Sequence, residues 1–284
     1  MCGETALVSK RVLIMGEGEL GAATLEQRGN APAFTIQGPA VLMRLAVDLC
    51  GFRECVQVVG PLRGAPALLI SCTMRSSGHE GCVVEGGAAP VLRDCQLAGR
   101  RAALCCLDDS APKLLRCRLH SSGMQGLRAQ GRSRPTLRSC TIEGNEAEGV
   151  VCFQHARVAM DRCTVSKNQG CGLDVSGSSS LSLTACSVQG NVGGGLFMWD
   201  TSNVSFDGGR ISAETGCLAV LVDSGPRLRL RRCSMAGVVH AQSREVEAEL
   251  AEAGCPSSDD GWVHCLPAEA GCFKFEADRF TRKQ

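Results

Sequence analysis

Tyrosine is absent from this chain of 284 residues, and eight phenylalanines and two tryptophans hold the aromatic share to 4%. So few rings suit a narrow interior filled by Leu, Val, Ile, Cys and Ala, and they leave no tyrosine-lined surface for stacking sugars. No apolar run reaches the ~18 residues that a membrane-spanning helix needs. Formal charge is almost balanced at +1, so the broad basic footprint of a nucleic-acid-binding domain is missing. The opening MCGETALVSK has no apolar signal core. Cys2 stands where myristoylation requires glycine, and the terminal TRKQ is no prenylation motif. With 19 cysteines and no export signal, the chain is expected in the cytoplasm, free or in a cytoskeletal or ciliary setting.

What is present is a period. Cys72, Cys95, Cys117, Cys140, Cys163 and Cys186 are separated by 23, 22, 23, 23 and 23 residues; the next step reaches Gly209, and 24 further stands Cys233. Stepping back 22 from Cys72 gives Cys50. Three residues before the column come Leu69, Leu92, Leu137, Met160, Leu183, Phe206 and Leu230; two after it come Met74, Leu97, Leu119, Ile142, Val165, Val188, Ile211 and Met235. Five after it stand Ser77, Ser122, Asn145, Asn168 and Asn191, and nine after it Gly81, Gly126, Gly149, Gly172 and Gly195. A fixed interval of this size marks a repeat architecture.

The apolar positions alternate with period two, as in strands with one buried face. Asn and Gly fall between them, where left-handed turns are expected. A helical repeat of the tetratricopeptide or ankyrin kind needs about 33 residues per unit. The pattern predicts an all-β, single-stranded, right-handed parallel β-helix of ~22–24 residues per coil, with neighbouring coils about 4.8 Å apart. Identical positions then stack, so Cys72, Cys95, Cys117, Cys140, Cys163, Cys186 and Cys233 form an interior ladder of reduced thiols. The chain divides into irregular coils over 1–60, regular coils over 61–243 and a capping tail over 244–284. REVEAELAEA at 244–253 reads as a short C-terminal helix, with Gly254 as its cap. Open sheet edges at both ends call for cover, from the tail or from a partner chain.

Chemistry is harder to find. Asp108–Asp109 is the best adjacent carboxylate pair, but the neighbouring coils offer Glu85–Gly86 and Gln130–Gly131, so it reads as a solvated turn. His79, His120, His155 and His240 fall at unlike repeat positions and form no ladder. Cys105–Cys106 sends one thiol outward, expected to be Cys106. In the tail, Cys255, His264, Cys265 and Cys272 cluster at a spacing of no common zinc module. No catalytic residue, metal or cofactor is assigned.

Two surface features point to protein partners instead. Arginines recur just before the column, at Arg93, Arg116, Arg138 and Arg162, with Arg231 and Arg232 further along; a stripe of this kind suits an acidic partner. Val151, Phe153, Phe197 and Trp199 fall on outward positions of one sheet and form a candidate apolar contact patch.

APVLRDCQL, RPTLRSCTIEGNEAEGVVC and LSLTACSVQGNVGGGLFM, with the entry KRVLIMGEGELGAATLEQRGNAPAFTIQGPAVLMRLAVDL, resemble the parallel β-helix repeats of the CASH type over roughly residues 10–235. Such repeats occur in F-box proteins, in SHC SH2-binding proteins and in carbohydrate-active enzymes. The Gly-His-Gly and Arg-Ile-Lys motifs of polygalacturonases do not occur here. The resemblance implies a non-enzymatic scaffold or adaptor that docks other protein chains, within a cytoskeletal, axonemal or ubiquitin-ligase-type assembly. Its alternative implication is a carbohydrate-binding module or a polysaccharide lyase or hydrolase.

Overall fold

Short alternating apolar runs become strands because each can bury one face only by stacking on the next repeat. In the computed structural model, which describes residues 5–17, 23–61, 64–213, 217–241 and 246–250, every strand pairing is parallel and successive coils stack in sequence order. A typical coil gives one strand to an 11-stranded sheet, here the first sheet, and two strands or one long bent strand to an 18-stranded second sheet. The result is the expected right-handed parallel β-helix.

The apolar columns are in register. Leu92 lies between Leu69 and Leu114, Leu137 between Leu114 and Met160, and Phe206 between Leu183 and Leu230. All are 0–2% exposed and fill the tube. Cys117 Sγ donates to Leu92 O at 3.4 Å, and Cys95 Sγ to Leu69 O at 3.2 Å, so column thiols bond to the coil beneath. Gly209 takes the column place between Cys186 and Cys233. A Cβ there would meet Cys186 O at 2.0 Å.

Four details differ from the sequence expectation. Cys50 is outside the ladder: Ala46 pairs with Thr73, which puts Leu45 beneath Cys72 and leaves Cys50 exposed in a longer coil. Cys105, not Cys106, takes the outward register with Val83 and Arg128, and both thiols are buried. The expected helix at 244–253 is replaced by a strand at Val246–Leu250, paired in parallel with Arg227–Ala236. The open edge of that sheet supplies backbone partners that outweigh the helix propensity of Ala, Glu and Leu. The tail cluster Cys255, His264, Cys265 and Cys272 lies outside the described residues.

The fourth difference concerns why Asn and Gly recur. Left-handed backbone sits one residue before the column, at Ser71, Asp94, Arg116, Ser139, Arg162, Ala185 and Arg232, and bends the second sheet there. Asn145, Asn168 and Asn191 are not left-handed; they are buried and joined Nδ2 to Oδ1 at 2.8 Å. The glycines nine after the column leave room for that ladder: a Cβ on Gly149 would stand 2.8 Å from Asn168 Nδ2 and 2.5 Å from Val165 Cγ1.

Burial and sulfur neighbours fix the redox character of the column. The Cys140 and Cys163 thiols are pushed up to about 12, first by the sulfur of the preceding coil and then by burial, against an opposing bond from the following sulfur. The thiolate is the reacting species. Labelling the native chain at pH 8 is therefore expected to modify exposed Cys50 within minutes while Cys140 and Cys163 stay protected until unfolding. Mass mapping that found Cys140 or Cys163 labelled as fast as Cys50 would remove the reduced interior ladder.

Candidate functional site

The first sheet presents a composite outer face. Leu127, Ala129, Val150, Cys152, Leu173, Val175, Leu196 and Met198 point into the tube and are 0% exposed. The alternate positions Arg128, Val151, Asp174 and Phe197 stack outward in register. Two residues further along each coil come Phe153 and Trp199. Val151, Phe153, Phe197 and Trp199 are each half-buried, so the structure brings the four sequence-selected residues onto one face. The Phe197 and Trp199 rings meet edge to face, with centroids 6.4 Å apart and planes at 88°. The Arg128 guanidinium lies 5.5 Å from the Phe153 ring centroid, a cation–π arrangement.

Asp174 changes what this face can do. It sits between Val151 and Phe197 in the outward ladder. Desolvation lifts its carboxyl from 3.8 to about 6, the Glu148 charge adds to the rise, and a hydrogen bond from the Trp199 side chain opposes it. Glu148 itself receives a hydrogen bond from Gln125 Nε2 at 3.1 Å. A carboxyl that keeps its proton into the mildly acidic range, near a second carboxylate, is the division of labour that acid–base chemistry uses. The sequence alone does not single out either residue, because the two fall 26 residues apart at different repeat positions and form no acidic column. The available signal is the one acidic residue in an outward ladder of Val83, Cys105, Arg128, Val151, Asp174 and Phe197.

The arginines are brought to the second sheet, but not as a bare basic stripe. Asp94, Asp161 and Asp207 interleave with them. Arg116 Nε lies 2.7 Å from Asp94, Arg138 Nε 3.3 Å and Arg162 Nη2 3.1 Å from Asp161, and Arg232 Nε 2.9 Å from Asp207. Arg93 reaches Asp94 at 3.6 Å. The Arg116 guanidinium holds the Asp94 carboxyl below its usual range. Exposed pairs of this kind contribute ~0–1 kcal/mol each. Asp108 and Asp109 are also structural: the Asp108 carboxylate accepts from the Gly86 amide at 3.1 Å, and Asp109 pairs with Arg132 at 2.8 Å.

A parallel β-helix with a carboxylate-and-aromatic patch on one sheet is the class of protein that fold and face define. The chain belongs to the right-handed beta helix region family, whose model matches residues 62–211. None of the curated proteins matches it. Among solved structures it is similar to a mutant of the periplasmic alginate epimerase AlgG, with TM-score 0.58 at 11% identity over 71% of this chain. It is also similar to the enzymatically active domain of bacteriophage CBA120 tailspike protein 2, with TM-score 0.61 at 12% identity over 88% of this chain. The chain spans 62% and 48% of the lengths of those two chains. At these identities the likeness shows the fold. The expectation of a non-enzymatic scaffold or adaptor is corrected to this extent: the solved chains that share the fold are an epimerase and an enzymatically active domain, so the fold gives no ground for excluding an enzyme. An apolar patch of Val151, Phe153, Phe197 and Trp199 favours protein docking over chemistry only while it is purely apolar. It is not, because it surrounds a carboxyl whose proton is held to about pH 6.

Proposed function

We propose that the outer face of the first sheet binds a polysaccharide and hydrolyses its glycosidic bonds. The observation that carries this reading is Asp174, lifted to about 6 by burial and by Glu148 within the Phe153, Phe197 and Trp199 patch. Asp174 is the general acid: its proton passes to the glycosidic oxygen as the C–O bond to the sugar breaks. Glu148 is the partner carboxylate: water adds to the sugar carbon and its proton passes to Glu148, so that a second proton exchange with solvent resets the pair. The aromatic rings supply flat apolar surface for sugar faces. The alginate epimerase and the tailspike domain support the reading as neighbours in fold. The CASH-type likeness of the repeats, which extends to carbohydrate-active enzymes, supports it from the sequence.

The test is release of new reducing ends from a panel of neutral and acidic polysaccharides at pH 5–6. The expected result is cleavage of at least one, with Trp199→Ala raising KM about tenfold or more through lost ring burial. Absence of both cleavage and binding across the panel would sink the proposal. So would a Trp199→Ala protein with unchanged KM.

A further inference from the structure

The second sheet carries a separate hollow of about 420 Å³, lined on its floor by strands Thr73–Ser76, Gln96–Gly99 and Arg118–His120. Arg75, Ala98 and His120 each stand three residues after a column cysteine, and Arg75 pairs in register with Ala98. The methyl group of Ala98 between two long side chains leaves the space. Arg100 and Glu146 complete the walls.

His120 is the unusual member. It is 8% exposed, its Nδ1 lies 3.0 Å from Ser121 Oγ, and its Nε2 is buried without a hydrogen-bond partner. A buried polar atom left unpaired costs about 1–3 kcal/mol, so its persistence asks for a ligand. Burial first, then the charges of Arg118 and Arg75, hold its imidazole below the ordinary value, with Glu143 opposing. Arg118 is committed to Glu143 at 2.7 Å. Among the described residues, neither Arg75 nor Arg100 is in an ion pair. Two guanidinium groups and an imidazole around one hollow fit a planar oxyanion. Glu146 on the wall opposes anions of higher charge most strongly and accepts hydroxyl donors, and Ser77 and Ser121 line the same hollow.

We propose that this hollow is a second binding site, one that takes the carboxylate of an acidic sugar residue on Arg75 and Arg100 and pairs its ring oxygens or hydroxyls with His120 Nε2. It lies on a different sheet from the Asp174 face and does not depend on cleavage there.

The experiment is NMR titration of the intact chain with a trimer of galacturonate, an uncharged trimer of galactose, and sodium sulfate. The His120 ring signal is assigned with His120→Gln, and the Trp199 indole N–H signal with Trp199→Phe. The galacturonate trimer is expected to shift the His120 signal saturably and to raise the pH at which it titrates, because the bound anion offsets Arg75 and Arg118. The galactose trimer is expected to leave it still. Arg75→Gln with Arg100→Gln, both at exposed positions, is expected to weaken the effect at least tenfold. A His120 signal indifferent to galacturonate overturns the proposal. So do an equal response to sulfate, which makes the hollow a site for adventitious anions only, and unchanged binding in the double variant. The Trp199 signal reads the first-sheet face separately, so failure at one site is distinguishable from failure at the other.

Discussion

Asp174→Asn is expected to lower polysaccharide cleavage by about two to four orders of magnitude and, at the same time, to stabilise the folded chain above pH 6. General acid catalysis contributes about 10²–10⁴-fold, and an amide cannot donate that proton, so activity should fall by that order with substrate binding little changed. The stability change has the opposite sign for a linked reason. Asp174 titrates at about 6 in the folded chain against 3.8 as its ordinary value. The fold therefore favours the protonated form. That contribution is fully present below about 4, and it is lost as the pH rises through about 6, where the fold must hold a charge that burial and Glu148 both oppose. Moving a titration by one pH step corresponds to about 1.4 kcal/mol, and solvent screening trims the effect at a half-buried group, so the carboxylate costs about 1–3 kcal/mol near pH 8. Asparagine keeps an acceptor for the Trp199 N–H and removes the charge. Urea midpoints should show the variant gaining stability at pH 8 and matching the parent at pH 4. The rate profile of the parent should fall as the pH rises through about 6, since the acid must be protonated. A variant that retains cleavage, or that is no more stable at pH 8, would show Asp174 to be a solvated bystander.

A carboxylate that weakens the fold near neutrality and occupies an outward position is hard to explain by packing. Valine at the same place in the coil below, Val151, is compatible with the sheet. Residues that reduce stability concentrate where chemistry is done. The mixed character of the face follows the same logic. Burial on this face lifts the Asp174 carboxyl and strengthens its interaction with Glu148, while the Trp199 side chain opposes the rise.

The coil is legible in the sequence because its cause is local and repeated. Each column residue meets its own copy one period away, so a spacing of 23 converts directly into a stack. The same logic makes the outward face legible by alternation, and Val151, Phe153, Phe197 and Trp199 follow. Glu148 and Asp174 are not legible as a pair, since an electrostatic interaction between adjacent coils at unlike repeat positions leaves no periodic trace. His120 forms no ladder, and that isolation is what leaves its Nε2 unpaired beside Ala98. Cys50 and the segment at 244–253 depart from expectation for another reason: a coil of 27 residues from Leu45 to Cys72 and an open sheet edge are tertiary facts. The glycine and asparagine columns stand where the period puts them, but packing rather than turning is their cause. Left-handed backbone falls on Arg116, Ser139 and Arg162 one place before each cysteine, where propensity alone would not put it.

That reassignment carries the largest expected stability effect. Asn168 Oδ1 accepts from the Asn145 backbone N–H at 3.1 Å and from Asn145 Nδ2 at 2.8 Å; its own Nδ2 donates to Asn191 Oδ1 at 2.8 Å and to Ile142 O at 3.3 Å. Every group in this set is buried. Asn168→Ala leaves two donors of Asn145 without an acceptor and strips Ile142 O of a donor. At about 1–3 kcal/mol for each buried group left unpaired, the cost is about 3 kcal/mol or more. Lys167→Gly, one residue away, is the contrasting substitution: Lys167 is exposed with φ 57°, a conformation glycine adopts freely, so its change should stay within about 1 kcal/mol. A turn-forming role for the asparagine column predicts the reverse ranking, because glycine and alanine would then differ at 168 by backbone conformation alone. Denaturant midpoints of Asn168→Ala, Asn168→Gly and Lys167→Gly decide between the two: both changes at 168 must be severe and the change at 167 mild. The damage should also reach the face of the first sheet. The ladder packs against Gly149 and Gly172, next to Glu148 and two residues before Asp174. A shift of these two coils separates the carboxylates, so Asn168→Ala should lower the pH at which Asp174 titrates under conditions where the chain remains folded.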